Sequence, residues 1–192
     1  MRYTERIAGP DREEEFAVLE EMEGKYENKD AKFFNNVLIE EPSLVVRVHA
    51  VTVLSEIGDE SSVPVLAEVM KKDPSPLIRH EAAFSLGQMG LKSAVPYLMD
   101  AALTDPSEIV RHESAAALGA IGDERARKAL EKASEDESDE VRGSAIASLF
   151  NLDFLSYSKK SKEKIDPEKL TAEIEEKRQM AAESPKKKMP HP

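Results

Sequence analysis

Two dipeptides in this chain are of the type and spacing that chemistry requires. His80-Glu81 and His112-Glu113 lie 32 residues apart, inside two copies of one pattern: Leu77-Ile78-Arg79-His80-Glu81-Ala82-Ala83-Phe84-Ser85-Leu86-Gly87-Gln88-Met89-Gly90, then Ile109-Val110-Arg111-His112-Glu113-Ser114-Ala115-Ala116-Ala117-Leu118-Gly119-Ala120-Ile121-Gly122. Imidazoles and carboxylates ligate metals and move protons, and packing alone gives no reason to repeat them in register. Two imidazoles and one carboxylate with open positions make the ligand set of non-haem iron oxygenases, and the same set can hold catalytic zinc. The chain has no cysteine, which disfavours a structural zinc site and excludes a disulfide framework and a thiolate nucleophile. His49 and His191 have no such partner in register and read as surface residues.

The elements that must position these side chains follow from the period. Arg47, Arg79, Arg111 and Arg142 recur at spacings of 32, 32 and 31, each with a leucine seven residues on (Leu54, Leu86, Leu118, Leu149). A fixed period of this size marks a helical solenoid. In the second helix of the second repeat, Ile78, Ala82, Leu86 and Met89 step by four, four and three, so they share one inward face. Gly58, Gly90 and Gly122 are expected to end these helices in the left-handed conformation, with Asp59 and Asp123 following as caps. The first helices match as well: Phe33, Phe34, Val37 and Leu38 align with Val65, Leu66, Val69 and Met70, and with Tyr97, Leu98, Ala101 and Ala102. Pro42, Pro74 and Pro106 break each one, while Pro64 and Pro96 sit early enough that a missing amide proton does no harm. His80 lies two residues past Ile78, roughly 200° around the helix, so it points away from the inward stripe. Imidazoles at matching heights on helices roughly 8–10 Å apart can converge on one ion.

The expected architecture is all-α, an α-solenoid of about four helical hairpins over residues 31–156. Residues 1–30 are read as an arm and a capping helix, the latter from Asp11 to about Tyr26 with Phe16, Leu19, Met22 and Tyr26 as its buried stripe and glutamates outside. Residues 157–192 are read as a charged tail: an exposed helix from Asp166 to about Ala182, then a disordered Ser184–Pro192.

Net charge is −11, and the ten Lys/Arg against seven Asp/Glu from Ser158 onward leave −14 on the residues before it. An acidic body disfavours nucleic acid and steers basic protein partners toward itself. The opening Met1–Arg6 lacks an apolar stretch, and no run approaches the ~20 apolar residues of a membrane span, so the expectation is a soluble, cytoplasmic protein without membrane partners. No glycine-rich phosphate loop, nucleophile elbow or calcium loop is present.

Val-Arg-x-x-Ala-Ala-x-x-Leu-Gly-x-Ile-Gly-Asp resembles the short HEAT-like repeats of phycobilin lyases and many scaffold proteins, over about Ala31 to Leu155. Arg79-His80-Glu81-Ala82-Ala83 through Met89, with Val110-Arg111-His112-Glu113 through Ile121, more specifically resembles deoxyhypusine hydroxylase, a HEAT-repeat di-iron monooxygenase acting on the deoxyhypusine side chain of a translation factor. The resemblance implies iron (Fe2+) as cofactor, His80, His112 and Glu113 as metal ligands, and Glu81 as a ligand or as the catalytic-site group that orients the substrate amine. It also implies a basic protein substrate. The hydroxylase has two halves, each with a pair of His-Glu motifs, whereas this chain has one pair; the aligned slots in the flanking repeats are Val48-His49 and Gly143-Ser144. A di-iron site on this pattern needs two copies of the chain, for which a two-fold homodimer is the simplest arrangement. The alternative expectation is a non-catalytic scaffold or adaptor that binds a protein partner on its concave face.

Overall fold

The computed structural model describes residues 12–164, and among them every regular element is helical. The helices are α1 (Arg12–Glu27), α2 (Ala31–Glu40), α3 (Leu44–Ile57), α4 (Ser62–Lys72), α5 (Pro76–Met89), α6 (Val95–Thr104), α7 (Glu108–Ile121), α8 (Arg127–Ala133) and α9 (Asp139–Lys164). Short 3-10 turns, Lys92–Ala94 and Glu124–Ala126, lead into α6 and α8. Two compact units are distinguished, Met1–Leu152 and Asp153–Pro192, so α9 crosses their boundary. The segments Asp166–Ala182 and Ser184–Pro192, with His191, lie outside the described residues.

The first unit is an α-solenoid. Helices α2, α4 and α6 pair with α3, α5 and α7 as successive hairpins; α3 packs on α5, and α5 on α7. Asp30 caps α2 by accepting from the Phe33 amide at 3.1 Å, and Ser43 caps α3. The core is one continuous cluster along the stack. Phe34, Leu54, Leu66, Ile78, Leu86, Leu98, Leu118 and Leu130 have no exposed surface, because no single hairpin can bury its own stripe and each relies on the next.

Three local expectations change. Gly90 and Gly122 do end α5 and α7 in the left-handed region, at φ 66° and 68°. Gly58 does not: its backbone is extended, and a Cβ there would lie 2.4 Å from the Leu54 carbonyl oxygen and 3.1 Å from the end of Met89. It is glycine for space, not for conformation. In α1 the buried residue is Met22, with Leu19 half-buried, whereas Phe16 and Tyr26 are exposed, and the Tyr26 hydroxyl donates to Glu56 at 2.7 Å. Asp123 caps the second 3-10 turn through the Arg125 amide, while Asp59 accepts from Ser61 and leaves Ser61 as the residue preceding α4.

Candidate metal and substrate site

The side chains in question are set in place by the arginine before each of them. Arg79 precedes His80, and its guanidinium makes a two-pronged pair with Asp105, Nε and Nη2 each at 2.9 Å from a carboxylate oxygen, while Nη1 donates to the Asp73 carbonyl at 2.9 Å. Arg111 precedes His112 and repeats the arrangement one layer on, with Asp136 at 2.8 and 2.9 Å and the Asp105 carbonyl at 3.0 Å. Arg47 pairs with Asp73 in the layer before. Each aspartate also accepts the amide two residues on, from Ser75, Ser107 and Ser138. The starts of α5 and α7 are thereby tied to the connections on both sides of them. Planar guanidinium geometry makes this bidentate tie directional, which a lysine would not. Asp136 is held below the usual carboxylate range, chiefly by the hydrogen bonds from Arg111.

From this frame His80 and Glu81 project from α5, and His112 and Glu113 from α7. Three of the four come together. His80 Nδ1 is 3.3 Å from Glu81 Oε1, and His80 Nε2 is 3.4 Å from Glu113 Oε2 across the α5–α7 contact. The Glu113 carboxylate draws the His80 pKa above its ordinary value against the opposing effect of burial, with Glu81 adding to it. His112 is turned toward the following repeat. Its Nδ1 lies 2.9 Å from Ser144 Oγ and 3.2 Å from the Glu140 carbonyl oxygen. A carbonyl only accepts, so the neutral ring carries its proton on Nδ1 and keeps the Nε2 lone pair, the form in which histidine binds a metal. Ser144 occupies in the fourth repeat the slot that Glu113 fills in the third, so each histidine meets the residue at this slot one repeat on.

The donor chemistry suits iron, with imidazoles and carboxylates and no thiol. The count does not close within one chain: among the described residues no three His, Asp or Glu side chains gather as a group able to hold a metal ion. His49 is exposed on α3 and takes no part.

Two residues of this surface carry no chemical signal in sequence. Leu77 and Ile109 are exposed, one helical turn before His80 and His112, and are 32 residues apart like them. Apolar side chains exposed in register beside charged ones offer a surface for an aliphatic stem. Their position three residues before each histidine is the signal that identifies them.

Comparison with known proteins adds to this geometry. A family model of HEAT repeats matches residues 31–119 and again 66–149. Among solved structures, that of human deoxyhypusine hydroxylase in complex with glycerol is similar, with a TM-score of 0.62 and 30% identity over 67% of this chain and 45% of that one. The chain thus spans less than half the length of the hydroxylase it resembles. No curated protein sequence matches it. No helix among the described residues is long and apolar enough to cross a membrane.

Proposed function

Because the chain belongs to the HEAT-repeat family and places a His-Glu pair across adjacent repeats, we propose that it is an iron-dependent monooxygenase of the deoxyhypusine hydroxylase kind, working as a homodimer. The observation that carries this reading is the placing of His80 between two carboxylates, Glu81 at Nδ1 and Glu113 at Nε2 across α5 and α7, with His112 held by Nδ1 so that Nε2 is left for a ligand. The similarity to human deoxyhypusine hydroxylase over 67% of the chain supports the same direction.

In this reading His80, His112 and Glu113 are the metal ligands that each chain contributes, and a second copy supplies the remainder. Iron held there would supply the activation of dioxygen. The protein's own residues bind and orient the substrate. Glu81, part-buried beside His80, accepts hydrogen bonds from the cationic amine of a lysine-derived side chain, while Leu77 and Ile109 cover its methylene stem. The net charge of −11 raises the local concentration of a basic protein substrate such as a deoxyhypusine-bearing translation factor. In the overall reaction one oxygen atom enters a C–H bond of the side chain and the other leaves as water, with two electrons and two protons drawn from an external reductant.

The test is incubation of the iron-loaded chain with dioxygen, a reductant and a deoxyhypusine-bearing factor, read by the mass of the modified side chain. Gain of one oxygen atom, lost in Glu81→Gln with iron retained, is the expected result. A second reading, a non-catalytic adaptor, is favoured by the absence of a three-ligand group among the described residues. An iron-loaded dimer that leaves the factor unmodified establishes the adaptor instead.

A further inference from the structure

Apolar side chains exposed one at a time are ordinary on a protein surface, but four of them here stand in register. Val45, Leu77 and Ile109 fill one slot of α3, α5 and α7 at spacings of 32 and 32, and are 63%, 43% and 44% exposed. Phe16, 58% exposed, continues the line onto α1. That helix packs on α3 and runs parallel to it. Near its start Glu15 accepts from the Ser43 hydroxyl at 2.7 Å, 28 residues on, and near its end the Tyr26 hydroxyl donates to Glu56 at 2.7 Å, 30 residues on. Val45 lies 29 residues after Phe16, between these two offsets, so the pair is level. One turn further along each helix runs a second line, Glu20, His49, Glu81 and Glu113, each four residues after its apolar neighbour and so on the same face. In the fourth repeat the apolar slot holds Glu140, and the line stops.

Charge along these lines has one sign. α3, α5 and α7 hold no lysine, and their arginines Arg47, Arg79 and Arg111 are each paired with an aspartate, while Lys25 of α1 turns to Asp30 and the Phe33 ring. We propose that the strip formed by Phe16, Val45, Leu77 and Ile109, with the carboxylates beside it, is a docking surface for an extended basic segment of a partner protein that carries an apolar residue at every third position. The spacing selects the conformation. Packed helices stand roughly 8–10 Å apart, and a polyproline II segment returns to the same side every three residues, after about 9.3 Å. A β-strand returns after about 6.7 Å and an α-helix after about 5.4 Å, and neither keeps pace with the strip. The apolar side chains of the segment lie on the strip. The lysine or arginine stems between them carry their cations to the acidic line, about 6 Å away along the helix axes. This surface extends over four helices, beyond the His-Glu pair, and needs neither iron nor a second copy of the chain.

Fluorescence anisotropy with the full chain prepared without metal, and circular dichroism as a check on folding, tests the surface. The probe is a labelled peptide of four Leu-Pro-Lys repeats, which has the polyproline II period. It is expected to bind. The same residues with the leucines gathered at one end, and a peptide of Leu-Pro-Glu repeats, should each bind at least ~10-fold more weakly. Phe16→Ser and Val45→Ser, both at exposed residues, should each raise the dissociation constant about 10-fold, the contribution of one apolar side chain left uncovered. Glu20→Gln should weaken binding and flatten its dependence on salt. Ile39→Ser, at an equally exposed apolar residue of α2, should change nothing. Binding that ignores the leucine period or survives both serine substitutions overturns the proposal, as does a chain that binds none of the peptides. A second copy as the occupant would sediment as a dimer that Val45→Ser disperses, and this also overturns it. Peptide binding by a chain that takes up no iron keeps the surface and rejects the hydroxylase reading; iron uptake without peptide binding does the reverse.

Discussion

Alanine placed at two helical glycines should change stability in opposite directions, and the difference measures how tightly the layers around His112 are held. At Gly119, two turns beyond His112 on α7, the new methyl would stand 2.2 Å from Ser148 Oγ, 2.6 Å from its Cβ and 2.9 Å from its Cα. The last of these atoms is backbone, so a side-chain rotation cannot relieve the clash and α9 must move away from α7. Overpacking of this kind costs about 1–3 kcal/mol, and the hydrogen bond from Ser148 to Ala115, worth about 1 kcal/mol, is strained with it. Alanine's better helix propensity returns about 1 kcal/mol. The net expectation is a loss of about 1–3 kcal/mol, a fall in Tm of about 3–10 °C for a chain of this size. At Gly143, exposed on α9, nothing lies within 4 Å of the added Cβ, and only the propensity term remains. Gly143→Ala should gain about 1 kcal/mol and raise Tm by about 2–4 °C. Thermal unfolding followed by circular dichroism reads both. The cost at Gly119 should fall in a Ser148→Gly background, which removes two of the three close atoms. If Gly119→Ala proves neutral, the α7–α9 spacing is looser than described and the His112–Ser144 contact loses its support.

Ser114 is buried in α7 with no hydrogen-bond partner for its hydroxyl among the described residues, in a slot filled by the fully buried Ala50, Ala82 and Ala145 in the other repeats. Ser114→Ala should therefore stabilise by about 1 kcal/mol, and a lowered Tm would show that the hydroxyl has a role. Asp136 makes the ladder sensitive to acid. Its folded pKa is lowered, chiefly by Arg111, so its contribution is present above the ordinary aspartate value of about 3.9 and is lost as pH falls through the folded value. Urea unfolding of the wild type and Asp136→Asn from about pH 6 down to pH 2 should show a stability gap that narrows with acid; a constant gap would mean that the pair contributes only through its neutral hydrogen bonds.

The repeat period, the all-helical fold and the left-handed ends at Gly90 and Gly122 were legible because each rests on a local rule that neighbouring residues enforce. Gly58 was not, since a glycine needed for space and one needed for conformation look alike in sequence. The four His-Glu residues were visible as a register, but their pairing was not. The sequence suggests that equal heights meet, whereas His80 reaches Glu113, 33 residues on, and His112 reaches Ser144, 32 on. Side chains on stacked helices lean toward the next layer, and the offset depends on their rotation about each axis. The Arg79–Asp105 and Arg111–Asp136 ties span 26 and 25 residues, between an inner helix and the next connection, so a search within one hairpin passes over them. Phe16 and Tyr26 satisfied the period of a buried stripe, yet α1 has only one side of α3 and α2 to cover and buries Met22 instead.

Metal content tests the account's central claim most directly. Protein prepared anaerobically with ferrous iron, then freed of excess metal, should carry iron by elemental analysis. His80→Ala combined with His112→Ala should lose it while the helical circular dichroism stays unchanged. Wild-type protein that carries no metal, or a double variant that carries as much as the wild type, would contradict the assignment of His80, His112 and Glu113 as ligands.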